Sequence, residues 1–229
     1  MSNPPVINLN PSLAIIGGTG KEGSAIAARF AKAGVRVLIG SRDAMKAQNT
    51  ANTINAKFGI KNVEGYTNKD AAAKADVVLL AIPYDGMKPI LEDIKSSMPG
   101  KIAINIASSL DAEKKSRARI IMPAGSITAE IQQFFGEATK VVAAFQNISP
   151  EQLEKLDEKI ETDVFVVGAD REARDLVINL IKKVGIDAFD AGMIQNAVVV
   201  ETMTAALIAI NIRYKVKGAG IRLVGVPRT

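Results

Sequence analysis

Three glycines in Gly18-Thr19-Gly20-Lys21-Glu22-Gly23 carry the spacing used to hold a dinucleotide pyrophosphate. The first permits a tight turn, the second lets backbone approach the phosphates, and the third lets a helix pack close on a strand. Free N–H groups and the positive dipole end of the following helix complete such an anion site. A second cue is Gly40-Ser41-Arg42. NAD-specific sites place Asp or Glu at that point, on the ribose 2′-OH. Arg42 suits a 2′-phosphate through a charge-assisted fork, Ser41 adds a hydroxyl, and Lys46 shares the Arg42 face of a helix. NADP(H) is therefore the expected nucleotide. Ile82-Pro83-Tyr84 ends an apolar run, where the carboxyl end of a strand meets a ligand crevice. Proline there stiffens the turn beneath a flat ring, and Tyr84 can stack or pack.

The chain has 229 residues, with neither cysteine nor histidine. That excludes disulfides, cysteine nucleophiles, His/Cys zinc sites and a Ser-His-Asp triad. Proton chemistry is left to Asp, Glu, Lys, Tyr, Ser and water. Hydride exchange between two bound cofactors asks little of such groups, so no side chain is assigned a catalytic role. The net charge of +5 is dispersed and accompanied by few aromatics, which favours an anionic small ligand over nucleic acid.

The elements that must position these residues alternate along the chain. Strands are expected at Leu13–Ile16, Val35–Ile39, Asn62–Gly65, Val77–Ile82, Ile102–Ile106, Val141–Phe145, Val164–Val167 and Asp187–Phe189. Helices are expected at Gly20–Ala33, Ala44–Phe58, Lys69–Lys74 (capped by Asn68), Tyr84–Ser97, Ile127–Phe135, Pro150–Leu156, Arg171–Val184 and Gln195–Ile212. Ala107–Ser126 reads as a long loop and candidate lid. The pattern predicts an α/β fold: a Rossmann-type, doubly wound, mainly parallel sheet. A small C-terminal α/β extension ends it in a long apolar helix. Residues 1–12 read as a flexible leader, 13–148 as the NADP-binding domain, and 149–229 as an extension serving a second ligand and an oligomer contact. The leader lacks the pattern of a signal peptide. Ala197–Ile212 carries Glu201 and Asn211 and reads as too short to span a bilayer comfortably. No membrane is expected, and the cytoplasm is the default location.

A resemblance then covers nearly the whole chain from Leu13 onward. Its matching stretches are Ile16-Gly17-Gly18-Thr19-Gly20, Gly40-Ser41-Arg42, Asn68-Lys69-Asp70-Ala71-Ala72, Ile82-Pro83 and Leu156-Asp157-Glu158-Lys159. They continue in order through Asp190-Ala191-Gly192, Asn196, Val200-Glu201, Thr204 and Asn211-Ile212-Arg213, with Gly218 and Gly220-Ile221. In these the chain resembles the NADPH-dependent reductases of coenzyme F420, a deazaflavin. The resemblance implies reversible hydride transfer between NADP(H) and F420, achieved by positioning. By the matching residues, Thr19 to Glu22, Ser41, Arg42 and Lys46 would hold NADP, and Ile82-Pro83-Tyr84 would border its nicotinamide. The deazaflavin would lie over the nicotinamide at the carboxyl edge of the sheet.

The chain departs from the family pattern at Gln146, where a histidine is common, and at 106–110, where prolines are common. Gln146, Asn147, Glu201, Arg213 and Lys217 are the candidates for the second ligand. The tail cations Arg213, Lys215, Lys217, Arg222 and Arg228 offer a landing site for the acidic oligoglutamate tail of F420. The alternative is an NADPH-dependent reductase of a small carbonyl or imine. That reaction wants a proton donor, and the candidates are Tyr84, Lys88 and Glu201. The late apolar helix also suggests a homodimer.

Overall fold

Leu13-Ala14-Ile15-Ile16 is buried at every position, as a strand covered on both faces requires. This strand, β1 (Leu13–Ile16), leads into α1 (Lys21–Lys32), β2 (Val37–Ser41), α2 (Ala44–Phe58) and β3 (Val63–Thr67). The chain continues through α3 (Asn68–Lys74), β4 (Val77–Leu80), α4 (Met87–Ile94), β5 (Ile102–Asn105), α5 (Ile127–Phe135) and β6 (Lys140–Ala143). It closes with α6 (Pro150–Glu154), β7 (Val164–Gly168), α7 (Arg171–Lys183), β8 (Ala188–Asp190) and α8 (Ala197–Tyr214). The computed structural model describes residues 10–119 and 122–228. Most of the expected leader therefore lies outside the described residues. Ser12 donates its backbone N–H and its hydroxyl to Asp76 Oδ2, both at 2.8 Å.

All eight strands form one sheet, ordered β3-β2-β1-β4-β5-β6-β7-β8. Every neighbouring pair is parallel except β6 with β7, which is antiparallel with Val142 opposite Gly168. The expected doubly wound, mainly parallel sheet is thus the observed one, and residues beyond 149 extend it. Alternate residues feed opposite layers. Leu13 and Ile15 pack with Ile26, Phe30 and Ile54, whereas Ala14 and Ile16 pack with Ala71, Leu91 and Ile131. The strand order reverses between β1 and β4, and in such sheets a crevice opens at the carboxyl ends on either side of that point.

Several boundaries differ from expectation. β2 starts at Val37, and β4 stops at Leu80. The stretch 84–97 is not one helix but a 3-10 turn (Tyr84–Gly86), α4 and a second 3-10 turn (Lys95–Ser97). Gly86 offers no side-chain cap to hold a continuous helix start. Asn68 is not the cap of α3. Thr67 is, accepting the Asp70 N–H at 3.1 Å. The last apolar helix, with its leading 3-10 turn, spans Ile194–Tyr214. By length and composition it could cross a membrane, so the argument from shortness fails. The helix packs on one side: Glu201 is fully buried on it, and Ala197 and Val200 sit in a cluster with Ala143 and Val167.

Candidate functional site

The glycine turn is held by the sheet itself. Gly40 O, near the end of β2, accepts hydrogen bonds from Gly17 N at 3.1 Å and Gly18 N at 3.2 Å. Gly17 has φ 77°, in the left-handed region that favours glycine, and a Cβ there would stand 2.5 Å from Ala81 O. A Cβ on Gly18 would stand 2.7 Å from Ile15 O, and one on Gly23 2.8 Å from Gly18 Cα. These glycines are dictated by the fold. Gly20 is different: a Cβ there would meet only Gly17 O, at 3.5 Å. The protein leaves its surroundings clear, as backbone approach to a pyrophosphate demands. Gly20 also precedes α1 without a side-chain cap, so the first-turn N–H groups remain for an anion.

At the end of β2 the Asp43 carboxylate, not Ser41, caps α2, accepting from Met45 N (2.9 Å) and Lys46 N (3.2 Å). Ser41 is buried, and its Oγ accepts the Asp43 N–H at 3.2 Å. Arg42 and Lys46 are exposed. Neither makes an ion pair among the described residues. Two uncompensated cations thus flank the place expected for a 2′-phosphate.

A cavity of about 600 Å³ lies at the carboxyl edge of the sheet. Its wall brings together Gly20 to Gly23, Ile82, Pro83 and Tyr84, Gln146 and Asn147, and Lys217. The expected loop lines it through Ala107, Ser108, Asp111 and Arg119, and α8 through Thr204, Leu207 and Asn211. Within that loop Leu110 and Ala118 form an isolated antiparallel bridge, and Arg119 lies over the Tyr84 ring at 5.1 Å. Ser41, Arg42, Glu201 and Arg213 stand outside this wall. Lys46 borders another cavity, of about 820 Å³, lined by α1 and α2.

Glu201 is a structural anchor and lies behind the wall. Its carboxylate accepts from Ile127 N and Thr128 N at 2.8 Å, Thr128 Oγ1 at 2.6 Å and Ser109 Oγ at 2.7 Å. Burial pushes its pKa up, against the downward pull of those donors. Among the tail cations, Arg228 is bound to Asp163 at 2.8 Å and also to Asp187. Arg222 is paired with Glu161. Both charges are committed within the protein, so the landing site expected of them is reduced to Arg213, Lys215 and Lys217.

The cleft is electrostatically mixed. Lys21, at the start of α1, meets Glu151 of α6 at 2.6 Å, which raises the Lys21 pKa and lowers that of Glu151. Glu22, half-buried in the same turn, is pushed up to about 7 by burial. The Tyr84 hydroxyl donates to Glu130 Oε2 at 2.7 Å, and this bond raises its pKa, helped by burial. Its proton is therefore engaged and held tightly. Lys88 is exposed and outside the cleft. Of the three proton donors named for carbonyl reduction, Lys88 and Glu201 stand outside the cleft, and Tyr84 lines it with its hydroxyl committed to Glu130.

Three positioning residues escaped the sequence reading. Arg29, 7% exposed on α1, donates to the carbonyls of Gln152, Leu153 and Lys155, fixing α6 against α1. Asp163, 1% exposed in its side chain, receives Arg228. Asn105, fully buried at the end of β5, accepts Ala107 N at 3.0 Å and donates to Thr128 Oγ1 at 3.0 Å. Only Asn105 left a signal: a lone amide in the apolar run Ile102-Ala103-Ile104-Asn105-Ile106.

A glycine-rich turn between β1 and α1, beside a cleft at the carboxyl edge of a doubly wound sheet, is the architecture of the Rossmann-type oxidoreductases that use a dinucleotide. Residues 12–109 match the family model of the coenzyme F420-dependent NADP oxidoreductases. An F420-dependent NADP reductase of Methanocaldococcus jannaschii is 37% identical over 92% of this chain and 97% of its own length. The F420-dependent NADP reductase of Methanothermobacter thermautotrophicus is 38% identical, over 94% and 95% respectively. The chain belongs to this family of F420-dependent NADP reductases. Among solved structures, one from Arthrobacter sp. FB24, described as a candidate F420-dependent NADP reductase, superposes with a TM-score of 0.80. It is 24% identical and covers 93% of this chain and 99% of its own. An imine reductase of Myxococcus stipitatus shares the fold at a TM-score of 0.61 and 17% identity, but only 62% of its chain is covered.

Proposed function

We propose that the protein moves a hydride between NADP(H) and coenzyme F420, with Gly20 to Gly23 holding the pyrophosphate and Arg42 and Lys46 the 2′-phosphate. The observation that carries this reading is the cleft itself. It joins the glycine turn to a second wall, formed by residues of 106–119, 146–147 and α8. The two cofactors would supply the redox chemistry when bound: a hydride passes between their rings, with one proton exchanged with water for each F420 reduced or oxidised. The protein's part is positioning and exclusion of water. Pro83 stiffens the turn after β4, Tyr84 is fixed by Glu130, and Arg119 ties the 106–119 segment to Tyr84. Lys217 is the tail cation that supports a landing role for an acidic second ligand. The proposal extends to a cytoplasmic homodimer joined through the face of α8 on which Val199 and Ile210, three turns apart, are exposed.

Mixing the protein with NADPH and oxidised F420 tests the reading by the loss of deazaflavin absorbance. Bleaching is expected with NADPH and far less with NADH. In Arg42→Ala the NADPH preference should fall about 10- to 100-fold, the worth of one charge-assisted contact. Bound NADPH with no bleaching would reject F420 as the partner and favour a small carbonyl or imine.

A further inference from the structure

Among the described residues, one buried side-chain acceptor on a residue of the cleft wall has no partner within the protein. Gln146 is 5% exposed and borders the cavity. Its Nε2 donates to Asn105 O at 2.8 Å, which fixes the orientation of the amide. Its Oε1 is buried and has no hydrogen-bond partner. Buried polar atoms without partners are rare in folded proteins and mark strain or function.

The backbone points to the same place independently. Phe145, directly before Gln146, has φ 74°, in the left-handed region that a bulky L-residue avoids. The conformation is held by packing: Phe145 is buried and meets the Phe30 ring edge-on at 6.3 Å. Thr204 of α8 then donates its hydroxyl to Gln146 O at 2.6 Å, and its Oγ1 also lies 2.8 Å from Ser108 Oγ. Asn105, which receives Nε2, is itself tied to Ala107 and Thr128. Asn105 O thus holds the side-chain amide, while Thr204, itself bonded to Ser108, holds the Gln146 backbone carbonyl, directly after the strained Phe145. Persistent strain of this kind collects at ligand clamps.

We propose that Gln146 Oε1 is a specificity-determining acceptor for a planar amide N–H presented by a cofactor in the cleft. Two sources share that chemistry: the carboxamide of nicotinamide and the imide N–H of the deazaflavin pyrimidine ring. Neither oxygen acceptors nor alkylated nitrogens can satisfy Oε1, so the site selects by what it leaves unpaired. The inference rests on the two-cofactor reading above.

The test pairs each ligand with a partner lacking the N–H. NADP+ is compared with its nicotinic acid analogue, and the deazaflavin with its N3-methyl derivative, by fluorescence titration. Both pairs are run on the wild type and on Gln146→Met, which keeps the length of the side chain. The wild type should prefer the N–H form about tenfold in one pair, and Gln146→Met should lose that preference while the other pair is unchanged. The pair that responds identifies the source. Comparing two ligands on one variant cancels any general loss of folding, and Gln146→Leu replaces Gln146→Met if the latter is insoluble. No preference in either wild-type pair, or a preference that survives both substitutions, overturns the inference. Wild-type protein that binds neither NADP+ nor the deazaflavin defeats the two-cofactor reading instead.

Discussion

At the scale of single residues, the glycine turn separates what the fold needs from what a ligand needs. Gly18→Ala drives a Cβ to 2.7 Å from Ile15 O, and backbone cannot yield cheaply. A loss of about 2 kcal/mol or more is expected on urea denaturation. Gly20→Ala meets nothing closer than 3.5 Å and loses only the helix-cap preference for glycine over alanine, so stability should fall by no more than about 1 kcal/mol while NADP+ binding weakens at least about tenfold. Equal damage by both variants to folding would remove Gly20 from the ligand's surroundings. Glu22 gives a pH prediction. Its carboxyl titrates near 4.5 unfolded and about 7 folded, because burial disfavours the charge. The α1 dipole favours the charged form by up to about 1 kcal/mol, too little to cancel that. The folded state therefore binds the proton more tightly. Its contribution to stability is full below about pH 4.5 and is lost as pH rises through 7. The loss is at most about 3 kcal/mol, and less with solvent screening. Denaturation at pH 5 and pH 7.5 should show a larger drop for the wild type than for Glu22→Gln. Parallel drops would mean that the carboxyl is not desolvated.

Elements are where legibility in the sequence divides. Strands buried on both faces announce themselves as apolar runs, and β1, β4 and β7 stand close to where they were expected. The turn after β1 and the cations after β2 were equally legible, since their chemistry is local. Contacts between distant residues were not. Nothing near Glu201 in sequence says that its carboxylate caps α5, more than seventy residues away. It was read as a ligand contact because a buried carboxylate in an apolar helix demands donors, and their source was hidden. Arg29 holding α6, and Arg228 held by Asp163, are invisible for the same reason. The Glu201 assignment makes its own prediction. Glu201→Ala strands two backbone N–H groups and two hydroxyls in the core, and should cost about 3 kcal/mol or more. Because Ser109 and α5 lose their shared anchor, the 106–119 wall should loosen too. Hydrogen exchange there should quicken, with α2 as the unaffected reference. An unchanged midpoint would show that the carboxylate is dispensable.

The whole molecule poses a problem that no single element solves. Helix α8 turns Thr204, Leu207 and Asn211 toward the cleft while Val199 and Ile210, three turns apart, stay bare on another face. An apolar helix with one uncovered side needs a cover: lipid, or another protein surface. Glu201, sealed at 0% exposure by donors from the same chain, shows that the inner side is committed to this fold. A second copy meeting face to face would cover the outer side of both helices at once, as a two-fold contact does. It would also brace the cleft, because the same helix supplies the cleft wall. Val199→Glu with Ile210→Glu places charge on that face without touching the cleft. Sedimentation should then report a mass near 24.3 kDa in place of twice that value. In the monomer, deazaflavin affinity should fall while NADP+ affinity holds, since the glycine turn lies on α1, at the far wall. A wild type already monomeric would send the search for the cover elsewhere. A dimer that separates with no change in deazaflavin binding would leave α8 as an interface alone.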